Sequence, residues 1–203
     1  MVKKDSVVEL KLHNLLTLAS RCNAVHGHVA EVGVHRGRSA LTIREALPHH
    51  PFLAFESFHG LEDLGANDLL RANASDRGHA PGDFAIESSV ERATVVSRLE
   101  ESNIDLRIGR FEVTSKQCKE MVFSFVHIDV DTYASTLFAL SFFATRMAPR
   151  GLVVCDDFGW VATPGVQMAV EEVLATHSEL TMEVSGTYQA VLYLAAPEAT
   201  THQ

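Results

Sequence analysis

Two short apolar runs that each end in acid constrain this chain most: Phe125-Val-His-Ile-Asp-Val-Asp131 and Leu152-Val-Val-Cys-Asp-Asp157. Runs of this kind form parallel strands buried on both faces. Between them, Leu137, Leu140, Ala144 and Met147 recur at helical spacing from Thr136 to Met147. That helix should stop before Pro149, with Gly151 as the turn residue. Strand, helix and strand make the two strands parallel neighbours, so Asp129, Asp156 and Asp157 should emerge at one sheet edge. Carboxylates that close together repel unless a cation or shared protons neutralise them. All-oxygen ligation suits Mg2+ or another hard divalent cation, which makes these three the candidate metal ligands.

At 203 residues the chain is expected to form one domain, residues 1–203, with a substantial core. An apolar fraction of 46% and a charged fraction of 21% are those of an ordinary globular protein. No apolar run approaches the length of a membrane span, and the start Met1-Val-Lys-Lys-Asp-Ser6 lacks the apolar core of a signal peptide. Cys22, Cys118 and Cys155 are odd in number and without metal-ligand spacing, so they read as free thiols in a reducing cytoplasm. A net charge of −9 argues against nucleic-acid binding, which draws on a basic surface. It leaves a metal or a cationic cofactor open.

Along the chain, Val8, Leu12, Leu15 and Leu16 mark an opening helix within residues 1–24. Val29–Val32 is a strand that ends in the turn Gly33-Val-His-Arg-Gly37, and Ser39 opens a helix that Pro48 ends. Phe52–Phe55 is the next strand, closed by Glu56. The stretch from Ser57 to Asp83 is long and polar, and is the candidate lid loop. Helical spacing returns over Phe84–Glu101, followed by a strand at Ile104–Ile108, a short helix near Ser115–Glu120, a helix over Val166–Ala175 and a closing β pair around Ser185-Gly186. Alternating strands and helices imply a doubly wound α/β fold, mainly parallel, with an antiparallel element at the C-terminal end.

In the glycine turn, Gly33 allows a sharp change of direction and Gly37 allows a ligand to approach the start of the helix. Glu56 sits where an acid commonly takes a ribose diol. Taken alone this pattern also fits a merely tight turn. It departs from the three-glycine dinucleotide fingerprint, because His35 and Arg38 replace glycines, which disfavours a nicotinamide cofactor.

Longer matches carry a resemblance. Glu31-Val-Gly-Val-x-x-Gly-x-Ser39, Phe55-Glu-Ser-Phe-x-Gly-Leu61, His127-Ile-Asp-Val-Asp-x-Tyr133 and Val154-x-Asp-Asp-Phe-Gly159 follow one another in order, with Pro164-Gly165 and Gly186-x-x-Gln189-Ala190 after them. In these the chain resembles the macrocin-type, TylF/MycF-like O-methyltransferases, which are metal-dependent and use S-adenosylmethionine. The resemblance implies a Rossmann-like class I methyltransferase fold. It implies metal ligation by Asp129, Asp156 and Asp157. The implied cofactor contacts are Glu31, Gly33, Val34, Gly37, Ser39, Glu56, Ser57 and Asp129, with adenine near Gly109, Arg110 and Phe111. Glu56 stands where the family usually has Asp, and the N-terminal region is short for the family.

The expected reaction is Mg2+-assisted methyl transfer to a hydroxyl of a small molecule, with a sugar of a natural product as the expected acceptor. Thr132, where catechol-type enzymes commonly carry Lys, favours the sugar type. A catechol-type enzyme and a non-catalytic cofactor-binding or oligomer-forming protein are the alternatives. Asp131 and His59 are the two candidates for general base, although Asp131 could equally cap the next helix. His127, within an apolar strand, reads as a core histidine. Trp160 either walls the acceptor pocket or covers the sheet edge. A homo-oligomer, most simply a symmetric dimer, is the default assembly.

Overall fold

The computed structural model describes residues 4–69 and 78–194. Seven strands form one sheet: β1 (His28–Val32), β2 (Phe52–Glu56), β3 (Ile104–Ile108), β4 (Phe123–Ile128), β5 (Met147–Cys155), β6 (Leu180–Ser185) and β7 (Gln189–Leu194). Their spatial order is β3-β2-β1-β4-β5-β7-β6. The pairs β1–β2, β2–β3, β1–β4 and β4–β5 are parallel, while β7 runs antiparallel to both β5 and β6. The helices are α1 (Lys4–Ser20), α2 (Arg38–Ala46), α3 (Ser89–Glu101), α4 (Phe111–Thr114), α5 (Tyr133–Ala144) and α6 (Pro164–Thr176).

Both faces of the sheet are covered. Val29, Phe52, Phe125 and Val154 pack with Leu15, Leu18, Ile43 and Leu99 on one side. Ala30, Phe55, Val126 and Val153 pack with Phe111, Leu140, Phe143 and Val170 on the other. This is why the central strands are buried on both sides rather than alternating with solvent: all six residues of β4 are buried.

Where the elements differ from expectation, local chemistry explains it. α3 starts at Ser89, five residues after Phe84, because Ser88 caps it by accepting the Glu91 N–H at 3.2 Å. Phe84 itself has φ 66 and cannot continue a helix. Instead of a helix at Ser115–Glu120, α4 begins at Phe111 and passes into a 3₁₀ turn at Ser115–Cys118. Met147 belongs to β5, not to the preceding helix, which ends at Ala144. Pro149 is tolerated inside β5 because the β4–β5 register breaks there, Phe123 facing Met147 and Phe125 facing Leu152. The acidic run also leaves the sheet early: β4 ends at Ile128, and Asp131 has φ 60.

The chain reverses its winding between β1 and β4, the switch point at which open α/β sheets bind ligands. There the first residues past the strands are held level by backbone bonds. Gly109 N–H donates to Glu56 O at 2.9 Å, Gly33 to Phe55 O at 3.0 Å, Asp129 to Val32 O at 2.9 Å and Asp156 to Ile128 O at 2.9 Å.

Candidate active site

That row of residues opens into a cavity of about 990 Å³, lined from the strand ends, from α1 and from the loop after β2. Its size is that of a site for a cofactor and a small substrate together.

Gly33 has φ +85, and a Cβ there would stand 1.8 Å from the Asp129 carbonyl oxygen. Its glycine is therefore required by contact with the backbone after β4 as well as by the turn. Gly37 has its Cβ direction toward Leu99 at 3.1 Å and is absent from the cavity wall, while its neighbours Arg36 and Arg38 line it. Val34, Ser39, Glu56, Ser57, Gly109, Arg110 and Phe111 all line the cavity. Glu56 binds the turn itself. Its Oε2 accepts from the amides of Val34 at 3.0 Å and His35 at 2.5 Å, and its Oε1 from Phe58 at 2.6 Å.

Glu31 is fully buried and outside the cavity wall. It is the cross-strand neighbour of His127, and its Oε1 accepts from His127 Nδ1 at 2.8 Å. By strand alternation Glu31, His127, Asp156 and Gln189 share the sheet face under α1, each two residues from an apolar residue of that core. His127 is thus a core histidine, though not a fully satisfied one. Its Nε2 has no hydrogen bond and stands 3.7 Å from Asp156 Oδ1, an ion-pair distance. Burial pulls this imidazole down, but Asp156 and Glu31 on either side raise it well above the ordinary histidine value.

Asp129, Asp131, Asp156 and Asp157 meet at one end of the cavity. Ligand atoms of His127, Asp129 and Asp156 lie within 4.8 Å of one another, as do those of Asp129, Asp131 and Asp157. Asp129 joins the two groups. Desolvation, then the charges of Asp156 and Asp157, push Asp129 up to about 8. Asp131 is raised well above the carboxylate range by burial and by Asp129 and Asp157. Asp156 behaves in the opposite way. Burial would raise it, yet His127, Lys11 and the amide of Gln189 hold it below its ordinary value.

Two members of this site, Lys11 and Asn14, stand in none of the matched motifs, and Gln189 stands in one without an assigned role. Lys11, on α1, bridges Asp157 Oδ1 and Asp156 Oδ2, the latter at 3.4 Å. Asn14 donates to Gln189 Oε1 at 2.7 Å, and Gln189 donates to Asp156 Oδ1 at 2.6 Å. Lys11 and Asn14 lie three residues apart on the face that also presents Leu15 and Leu18. Two polar residues on an apolar stripe were the available clue, and a lysine there reads by default as solvent-facing.

The two candidate bases part company. Asp131 lines the cavity. His59 is 64% exposed, pairs with Glu62 at 3.7 Å and does not line it. The candidate lid, of which residues 70–77 lie outside the described residues, is anchored where it is described. Leu61 N–H donates to Asp83 O at 3.0 Å, and Gly82 N–H to Leu61 O at 2.9 Å. Asp68, nearly buried, accepts from the Tyr133 amide at the start of α5 at 2.7 Å. Arg110 pairs with Asp63 and Glu62 across the cavity mouth. Trp160 lines the cavity wall beside Asp157. No described helix is long and apolar enough to cross a membrane.

The model of the macrocin-O-methyltransferase (TylF) family matches residues 7–188. The chain belongs to that family. An 8-demethyl-8-(2,3-dimethoxy-alpha-L-rhamnosyl)-tetracenomycin-C 4'-O-methyltransferase of Streptomyces olivaceus is 28% identical over 142 residues, 67% of this chain and 54% of that protein. The chain thus spans about half the length of the curated relative it matches. Among solved structures, the calicheamicin methyltransferase CalS11 is similar with a TM-score of 0.78 at 19% identity, covering 93% of this chain and 80% of that one. The O-methyltransferase NovP gives 0.71 at 21% identity, over 92% and 80%. A Bacillus cereus O-methyltransferase in complex with SAH gives 0.61 at 13% identity, over 97% and 83%. At these identities the likeness is one of fold. The mainly parallel sheet with its antiparallel β7 is the Rossmann-like arrangement expected for the macrocin-O-methyltransferase family.

Proposed function

We propose that this protein transfers the methyl group of S-adenosylmethionine to a hydroxyl of a small-molecule acceptor, a sugar of a natural product, with a divalent cation held by Asp129, Asp156 and Asp157. The observation that carries the reading is the meeting, in one cavity at the switch point, of the Gly33–Glu56 turn with four carboxylates. The names of the relatives support the acceptor class, since one is a methyltransferase of a rhamnosyl tetracenomycin.

The donor set is all carboxylate oxygen, which suits a hard cation, and Asp129, which joins the two clusters, is the ligand whose raised proton affinity a divalent charge would relieve. The chemistry such an ion supplies is to orient acceptor oxygens and to acidify the attacking hydroxyl. The chain's own residues do the rest. Gly33 and Glu56 seat the cofactor at the strand ends, with Gly109, Arg110 and Phe111 toward its adenine. Asp131 takes the hydroxyl proton: it lines the cavity and stands within the cluster formed with Asp129 and Asp157. His59, exposed and paired with Glu62, is the poorer base. The loop ahead of Asp68, tied down by Arg110, limits water over the reacting atoms. Gln189 and Asn14 hold Asp156 in place from the α1 side.

Calorimetric titration of S-adenosylhomocysteine and then Mg2+ into chelator-treated protein tests the proposal, with Asp156→Asn alongside. Both ligands should bind the natural chain, and the variant should keep the first signal and lose the second. Failure of S-adenosylhomocysteine to bind would overturn the reading. Full turnover in Asp156→Asn would remove the metal from it.

A further inference from the structure

We infer that Trp160 is the surface on which the acceptor's sugar ring lies, and so a specificity-determining residue of the reaction proposed above, on which this inference rests. It is the single tryptophan of the chain. It follows Asp157 by three residues in a turn closed from within. Trp160 N–H donates to Asp157 O at 3.1 Å, Thr163 N–H to Trp160 O at 3.1 Å, and the Thr163 hydroxyl to Asp157 O at 3.2 Å. These bonds fix the base of the indole relative to the carboxylate end of the cavity.

The ring is not spent on the hydrophobic core. It is half-buried, lines the cavity and meets Tyr188 edge-to-face at 4.8 Å and 84°. Tyr188, from the turn between β6 and β7, is 40% exposed. It therefore braces the indole from outside. Its backbone has φ 59, so the turn holds it in a conformation that non-glycine residues seldom adopt. Among the described residues the indole N–H makes no hydrogen bond, which leaves a donor free at the cavity wall. Val161 and Ala162 extend the same apolar surface.

A rigid flat ring with one spare donor, beside a cluster of carboxylates, has the chemistry that recognises a pyranose. One face of a sugar ring is a patch of C–H groups and lies on an aromatic plane, while its hydroxyls project from the rim. With that face on Trp160, rim hydroxyls are directed toward Asp129, Asp131 and Asp157, and a ring or substituent oxygen accepts from the indole. The cofactor turn at Gly33 and Glu56 takes no part in this contact, so the loss of Trp160 should spare cofactor binding.

The sole tryptophan makes its own reporter. In the full chain loaded with S-adenosylhomocysteine and Mg2+, methyl α-L-rhamnopyranoside should change the indole emission saturably, and catechol should do so more weakly. With S-adenosylmethionine, Trp160→Ala should raise KM for the rhamnoside about tenfold or more with little change in kcat. Trp160→Phe should recover part of that loss, and both variants should bind S-adenosylhomocysteine like the natural chain. An unchanged KM in Trp160→Ala, or an indole emission blind to a rhamnoside that is being methylated, would overturn the inference. Preference for catechol over the rhamnoside in emission and turnover would overturn its sugar assignment. Failure of the natural chain to bind S-adenosylhomocysteine would instead overturn the methyltransferase reading, which separates the two.

Discussion

The ammonium of Lys11 bridges Asp157 and Asp156, joining the first helix to a carboxylate pair of which Asp157 stands 146 positions away in the chain. Burial would lower the pKa of this ammonium, but the carboxylates of Asp156, Asp157 and Asp129 hold it above the ordinary lysine value. The docking of α1 is thereby tied to the charge state of the acidic end of the cavity.

Lys11→Met is expected to lower stability by about 1–3 kcal/mol, between the values typical of exposed and fully buried pairs. Hydrogen exchange should quicken in α1, while the amides of β4, in the centre of the sheet, stay protected. Equal protection of α1 in both proteins would count against the latch.

Gly33→Ala should be among the most damaging single changes in the molecule. The new methyl would stand 1.8 Å from the Asp129 carbonyl oxygen, at φ +85. A loss of about 3 kcal/mol or more is expected, together with loss of S-adenosylhomocysteine binding. Gly186→Ala, where a Cβ meets nothing within 4 Å, should change stability by less than about 0.5 kcal/mol. Denaturant melts of the pair provide the comparison.

The acidic end should make the metal-free protein less stable as pH rises. Asp129 is raised to about 8 by desolvation and by Asp156 and Asp157, so the folded chain keeps a proton that the unfolded chain has already released. Stability is then present below the ordinary carboxylate value and is lost as pH climbs through the raised one. In chelator, Tm should fall between about pH 5 and about pH 8. Asp129→Asn should flatten that slope, and added Mg2+ should reduce it in the natural chain. A Tm that rises with pH in chelator would contradict the arrangement of charges.

Asp68 should hold the loop after β2. It accepts from the Tyr133 amide at 2.7 Å and from the Gly65 amide at 2.8 Å, and it is almost fully buried. Asp68→Ala should cost about 1–2 kcal/mol, the range for loss of a helix cap. It should also accelerate exchange at residues 60–69 while leaving α6 unchanged. Unaltered exchange in that stretch would mean that the loop is held by other contacts, such as the Arg110–Asp63 pair.

Much of this architecture was legible from local pattern. The apolar runs of β1, β2, β4 and β5 and the helices between them follow from period and from turn residues. Once β4 and β5 are parallel neighbours, Asp129, Asp156 and Asp157 must come out at one edge. Less legible were the places where one residue outweighs a period. Ser88 stops α3 from starting at Phe84, and Pro149 sits inside a strand because a bulge removes the ladder bond it cannot make.

The sequence by itself determined which carboxylates share the sheet edge, because strand direction and strand ends are local properties of the chain. Only the tertiary structure decided what surrounds them. Lys11 and Asn14 reach Asp156 and Gln189 because α1 packs across that face of the sheet, and Glu31 pairs with His127 because β1 and β4 are in that register. Gly37 faces Leu99 and His59 faces solvent for the same kind of reason. Partners so far apart in sequence leave no periodic trace. Their contacts depend on helix placement and strand register, which the packing of the whole core sets.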